Sequence, residues 1–115
     1  MIRANGKTIF WGGDSGYGSH FKIVRELFGD IDACIVGVGA FKPEWFMEQN
    51  HTSPLKAIRA ATDMGARTFI PMHYGTFELG DESLGEPVRM LEKIRNSGTA
   101  NTRILIPRVG ERVMV

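Results

Sequence analysis

The chain has 115 residues, of which 43% are hydrophobic and 23% charged, a composition that indicates one globular domain with one core. Its net charge of +1, with scattered basic residues, argues against a nucleic-acid or anionic-membrane surface. The N-terminal residues do not predict a signal peptide, and no apolar run approaches the roughly 18 residues that a membrane-spanning helix needs. The single cysteine, Cys34, cannot form an internal disulfide and fits a reducing, cytoplasmic compartment.

The chain begins with a predicted hairpin. Asn5-Gly6 is a favoured hairpin turn, and it follows a very short strand, Met1–Ala4. The apolar residues Ile9–Trp11 predict a buried strand that ends at Gly12-Gly13.

A helix and a second buried strand follow. The spacing of apolar residues predicts a helix from Ser19 to Phe28, with Ser19 as its N-cap and Gly29 as its stop. The continuous apolar run Ala33–Val38 predicts a strand that is buried on both faces.

The middle of the chain is less regular. Residues Gly39–Thr52 show no clean period and are rich in aromatics, so we predict an irregular loop that covers a core or lines a site. Ser53-Pro54 predicts a helix start, with Ser53 as N-cap, and the helix should continue to about Met64. Residues Arg67–Met72 predict the next strand.

The last third predicts a surface loop over Glu78–Glu86, then a helix over Pro87–Asn96. Two short strands, Arg103–Ile106 and Arg112–Val115, should close the chain around a turn at Gly110. The alternation of strands and helices predicts an α/β layer with helices packed on a sheet.

The stretch TIFWGGDSGYG, from Thr8 to Gly18, places an acid directly after a predicted strand. Ligands of open α/β sheets bind at the carboxyl ends of strands, and the glycines allow close backbone approach. Asp14 is therefore a candidate metal ligand, although it could instead cap the following turn. The stretch is not a phosphate-binding Walker loop, since it lacks the Gly-Lys-Ser/Thr ending.

Two histidines could join Asp14. His73 also follows a predicted strand, so it and Asp14 could meet at one sheet edge and bind zinc, manganese or iron. His51 lies just before a helix start, where its ring could contact a substrate anion or act as a general acid. The alternatives are a half-buried strand-end residue for His73 and an ordinary loop or capping residue for His51.

Three segments in order, FWGGDSGYGSHF, KPEWFMEQNHTSPLKA and IPMHYGTFEL, resemble the C-terminal half of metallo-β-lactamase-superfamily hydrolases. The branch that they resemble is the N-acylphosphatidylethanolamine-hydrolysing phospholipase D group with its bacterial relatives. The resemblance covers residues 7–110 and implies that the chain is a single partial domain. The implied fold is the C-terminal half of an αββα sandwich, with one mixed sheet and helices on one face.

The resemblance also implies a site and a reaction. Asp14 matches an aspartate that bridges two metal ions, usually zinc, and His73 matches the last histidine ligand. His51 matches an active-site histidine beside the metals, while Tyr17 and the aromatic pair Trp45 and Phe46 would help to wall the pocket. The implied reaction is metal-dependent hydrolysis of a phosphodiester, lactone or related ester.

The chain departs from this family because the hallmark His-x-His-x-Asp-His does not precede Asp14. In the first functional hypothesis, the chain is therefore part of a metal-dependent hydrolase. We expect the chain alone to be inactive and to bind metal weakly, if at all, through Asp14 and His73. The second hypothesis is a binding or assembly module with a vestigial site. Because one apolar sheet face would lack its partner, we also expect a homodimer through that face.

Overall fold

A computed structural model describes all residues from 1 to 115 as a five-stranded sheet with four helices. The strand order is the chain order, β1-β2-β3-β4-β5. None of the helices has the length and apolar character that crossing a membrane requires. The elements are β1 (Ile2–Ala4), β2 (Lys7–Trp11), α1 (His20–Phe28), β3 (Ile31–Gly37), α2 (Glu44–Met47), α3 (Pro54–Asp63), β4 (Ala66–Met72), α4 (Glu86–Ser97) and β5 (Arg103–Ile104).

The sheet is mixed because it begins with a hairpin. Strand β1 pairs antiparallel with β2, and the turn between them uses Asn5 and Gly6 at positive φ, 51° and 73°. Each later pair, from β2·β3 to β4·β5, is parallel. The carboxyl ends of β2, β3 and β4 therefore lie at the same edge of the sheet, where the site residues follow.

One face of the sheet carries the core. Phe10, Cys34, Phe69 and Ile104 are paired in register across four strands, so they form a row on one face. This row packs with buried side chains of the helices, among them Phe21 of α1. The three long helices thus cover one face and remove its apolar side chains from water.

The opposite face has no helix on it. The next row across the sheet is Trp11, Ile35 and Ile70, and none of these side chains belongs to the core cluster. Trp11 is 55% exposed, and Ile35 and Ile70 are partly buried. The predicted architecture, one mixed sheet with helices on one face, is confirmed, and the apolar character of the second face is present as expected.

Ser19 occupies the N-cap position of α1 as predicted, but its side chain makes no capping hydrogen bond, whereas Ser53 accepts one from the Lys56 amide at 3.4 Å. Other local predictions were wrong. The last strand ends at Ile104, and residues 112–115 form no strand. The loop predicted to be irregular contains the short helix α2. The apolar residues at the C-terminus therefore do not pair with a neighbouring strand.

Candidate metal centre

Asp14 stands at the carboxyl edge because the chain turns sharply after β2. The amide of Gly12 donates a hydrogen bond to the Ile35 carbonyl at 2.8 Å, and a Cβ at Gly12 would approach that oxygen to 3.2 Å. Gly13 then takes φ of 60°, a conformation that favours glycine. The two glycines redirect the chain, so the carboxylate of Asp14 projects beyond the sheet and is exposed.

His73 follows β4 in an unusual conformation. Its φ is 59°, a left-handed value that costs a non-glycine residue of order 1–3 kcal/mol and is concentrated at functional sites. The neighbouring loop accommodates this bend, because any side chain at Gly39 would collide with the His73 carbonyl. The bend turns the imidazole of His73 over the sheet edge toward Asp14.

His51 reaches the same place from the loop after α2. The hydroxyl of Thr52 donates a hydrogen bond to the Ser15 carbonyl, which ties the His51 loop to the Asp14 loop. The ring of His51 stacks on that of His73, with centroids 5.3 Å apart and planes inclined by 24°. Both histidines are partly buried.

The three predicted residues therefore converge. Asp14 Oδ1 lies 3.7 Å from His73 Nε2, and with His51 included the ligand atoms all lie within 4.8 Å of one another. Two ligands of one tetrahedral zinc stand roughly 3.4 Å apart, given metal–ligand bonds of about 2.1 Å. The donor set thus fits one divalent ion held by Asp14 and His73, with His51 beside it. A second ion would need further ligands.

Tyr17 lies next to this centre but faces the helices. Its ring stacks on Phe21, and its hydroxyl donates a 2.5 Å hydrogen bond to Asp63 of α3. That hydrogen bond to the Asp63 carboxylate, together with burial, raises the pKa of the phenol. Tyr17 also lines a polar cavity of about 740 Å³ together with Asp14.

Trp45 and Phe46 lie on α2 as an edge-to-face pair with centroids 5.7 Å apart. They are 79% and 64% exposed, and they line neither of the two cavities beside the cluster. The structure therefore places these two aromatic rings on the surface, although their loop contributes to the centre through His51.

A second cavity, of about 270 Å³, opens beside His73 and is mostly apolar. Glu82 is one of the residues that line this cavity. Its side chain is 8% exposed and accepts hydrogen bonds from the amides of Phe41 and Lys42 at 3.2 and 3.0 Å. Sequence reasoning missed Glu82, since it lies in a polar stretch predicted to be a surface loop. Nothing local distinguishes it from its acidic neighbours, because its partners are about forty residues away.

The sheet thus carries helices on one face and brings a carboxylate and two imidazoles together at its carboxyl edge. The family model described as "Beta-lactamase superfamily domain" matches residues 1–74. The chain belongs to this metallo-β-lactamase superfamily. The predicted resemblance is thereby confirmed.

Known proteins support this assignment. The chain is 30% identical over 105 residues to the mitochondrial N-acyl-phosphatidylethanolamine-hydrolyzing phospholipase D of Saccharomyces cerevisiae, covering 90% of the chain and 22% of the relative. It is 31% identical over 97 residues to a UPF0173 metal-dependent hydrolase of Bacillus thuringiensis, covering 84% and 37%.

A solved structure shows the same fold. The metallo hydrolase Igni18 of Ignicoccus hospitalis superposes with a TM-score of 0.60 and 20% identity, over 91% of this chain and 40% of that one. The chain thus spans between 22% and 40% of the length of these three proteins.

Proposed function

We propose that the chain is one part of a metal-dependent hydrolase domain that acts on a phosphodiester, lactone or related ester. The observation that carries this proposal is the convergence of Asp14, His51 and His73, with all ligand atoms within 4.8 Å. Its support is the similarity to a metal-dependent hydrolase and to a phospholipase D of the N-acylphosphatidylethanolamine type. We propose zinc as the ion, because carboxylate oxygens and imidazole nitrogens are both among its usual ligands.

In this proposal Asp14 and His73 hold the ion through a carboxylate oxygen and a ring nitrogen. A bound ion supplies Lewis-acid polarisation of the ester or phosphoryl oxygen. His51, stacked on His73, is placed to hydrogen-bond the substrate or to give a proton to the leaving oxygen. The left-handed bend at His73 and the Thr52–Ser15 hydrogen bond orient these groups.

Two ions, which the resemblance implies, need more ligands than this cluster contains. With two zinc ligands from these 115 residues, the chain alone should have negligible phosphodiesterase activity. In a protein that adds the missing ligands, Asp14→Ala and His73→Ala should each abolish hydrolysis, while His51→Ala should lower turnover more than metal content. A metal titration of the chain itself tests the proposal, since it needs no turnover.

A second candidate function, an assembly module, is favoured by the uncovered sheet face. Trp11, Ile35 and Ile70 form an apolar row with no helix on it. Each 400 Å² of such surface left in water forgoes on the order of 10 kcal/mol, so the face favours burial. We propose that a second copy covers it in a two-fold dimer, because an uncharged apolar face is complementary to itself.

The buried thiol of Cys34 accords with a reducing, cytoplasmic environment.

A further inference from the structure

We propose that the cavity beside His73 binds an uncharged, apolar group of the substrate, next to the bond that is hydrolysed. This inference rests on the proposed hydrolase function and adds a class of substrate to it. The cavity has a volume of about 270 Å³ and shares His73 with the metal centre. A substrate group that occupies this cavity would therefore be attached close to the substrate atoms that lie at Asp14, His51 and His73.

The position of the cavity follows from the chain's turn after β4. Residues 73–77 leave the sheet edge and line the cavity, together with residues 82–84 and Pro87 from further along the chain. Gly39 and Ala40 also line it, and any side chain at Gly39 would collide with the His73 carbonyl. The segment that begins at the bend of His73 therefore contributes both to the cluster and to the cavity.

Five of the twelve residues that line the cavity are hydrophobic. Phe77, Leu79 and Leu84 are 74%, 58% and 37% exposed and line the same cavity, so they form one exposed apolar patch. Pro87, near the start of α4, is buried and also lines the cavity. A ligand with an apolar surface would remove these side chains from water.

The charges around the cavity exclude an anionic group. Glu82 is the one carboxylate in the lining, and its oxygens already accept hydrogen bonds from the amides of Phe41 and Lys42. No lysine or arginine lines the cavity, and the nearby ammonium of Lys42 is held by Glu86 at 2.6 Å. A phosphate or carboxylate would find no counter-charge here.

The size limits the group further. Sites for drug-sized ligands measure about 300–1,000 Å³, and this cavity lies just below that range. It therefore admits a short aliphatic chain or one ring, and a longer chain would extend past Phe77 and Leu79 into solvent. The expected substrate carries a short apolar acyl, alkyl or aryl group on the hydrolysed ester or phosphodiester.

Titration of the metal-free chain with n-hexanol, followed by amide NMR shifts, tests the cavity by itself. We expect saturable shifts at Gly75, Thr76 and Leu84, with a dissociation constant of about 1 mM for so small a ligand. Myo-inositol, which is uncharged but polar, should give no saturable shift. Shifts confined to other surfaces, or equal binding of inositol, would overturn the inference.

Two variants locate the binding. Leu79→Asp introduces a charge into the cavity and should weaken hexanol binding by about tenfold. The matched control is Leu55→Asp on α3, because Leu55 is 63% exposed and does not line the cavity. It should change the affinity by less than about twofold. Equal effects of the two variants, or no effect of Leu79→Asp in a folded chain, would contradict the assignment.

A zinc titration of the same sample separates this inference from the hydrolase function. Zinc shifts at Asp14 and His73 without hexanol binding would overturn the cavity assignment alone. Hexanol binding without any zinc binding would overturn the metal centre of Asp14 and His73, and with it the role of the cavity as a subsite beside that centre. Binding of both ligands supports both proposals.

Discussion

His73→Ala tests the metal centre most directly. Structural zinc sites with four ligands bind with about 10–16 kcal/mol, so each ligand contributes about 2.5–4 kcal/mol. Asp14 and His73 together would then provide about 5–8 kcal/mol, which corresponds to a dissociation constant between about 1 and 200 μM. Loss of His73 should weaken zinc binding by about 100-fold.

We expect the substitution His51→Ala to affect zinc binding less than His73→Ala does. Its ring stacks on His73 at 5.3 Å, and it lies beside the closer pair formed by Asp14 and His73, whose ligand atoms are 3.7 Å apart. His51→Ala should therefore change zinc affinity by less than about fivefold. His20→Ala is the matched control, since His20 stacks on Phe21 and lies outside the cluster.

Isothermal titration of the metal-free chain and of its four variants, His73→Ala, His51→Ala, His20→Ala and Asp14→Ala, measures these affinities. If His51→Ala weakened binding as much as His73→Ala, His51 would be a ligand rather than a neighbour. If neither Asp14→Ala nor His73→Ala weakened binding, the proposed centre would be wrong. Stoichiometric nanomolar zinc in one chain would also refute the ligand count.

The remaining predictions concern dimerisation, the thiol of Cys34 and the carboxylate of Glu82. Light scattering with size exclusion should show a dimer that Trp11→Asp converts to monomer, whereas a sharply melting wild-type monomer would refute the uncovered-face proposal. Burial raises the pKa of Cys34 to about 12, so the thiol should react with a disulfide reagent at least 100-fold (order of magnitude) more slowly in the native chain than in urea. Because the unfolded thiol ionises first, the free energy of unfolding should fall as the pH rises above 9, the ordinary thiol pKa, toward 12. Glu82→Ala should lower the free energy of unfolding in urea by about 2–4 kcal/mol, because two backbone amides lose their acceptor. The exposed Glu78→Ala should change it by less than about 0.5 kcal/mol, and equal losses would contradict the bonding role of Glu82.

Strand ends were the part of the site that the sequence could reveal. Asp14 and His73 each follow an apolar run, and parallel strands bring such positions to one edge. His51 lies in the loop after α2 rather than at a strand end, so the sequence indicated that it could join the site but not which contact would bring it there. The bond between Thr52 and Ser15 that brings it in joins residues 37 apart.

Side-chain direction was the part that could not be predicted. Tyr17 lies within three residues of Asp14, yet its ring packs on Phe21 and its hydroxyl on Asp63. Trp45 and Phe46 have the composition of a pocket wall, but α2 presents them to solvent. Hydrophobicity indicates that a side chain prefers burial, and only the tertiary contacts decide whether it finds any.

The strand order, which repeats the chain order, has a consequence for how the protein is made. Every strand pairs with the strand synthesised just before it, so no pairing waits for a distant segment. Asp14, His51 and His73 are all present once the residue that follows β4 has been added, before α4 and β5 leave the ribosome. The metal-binding edge can therefore take shape during synthesis, and pulsed hydrogen exchange on refolding should show β2 to β4 protected no later than α4.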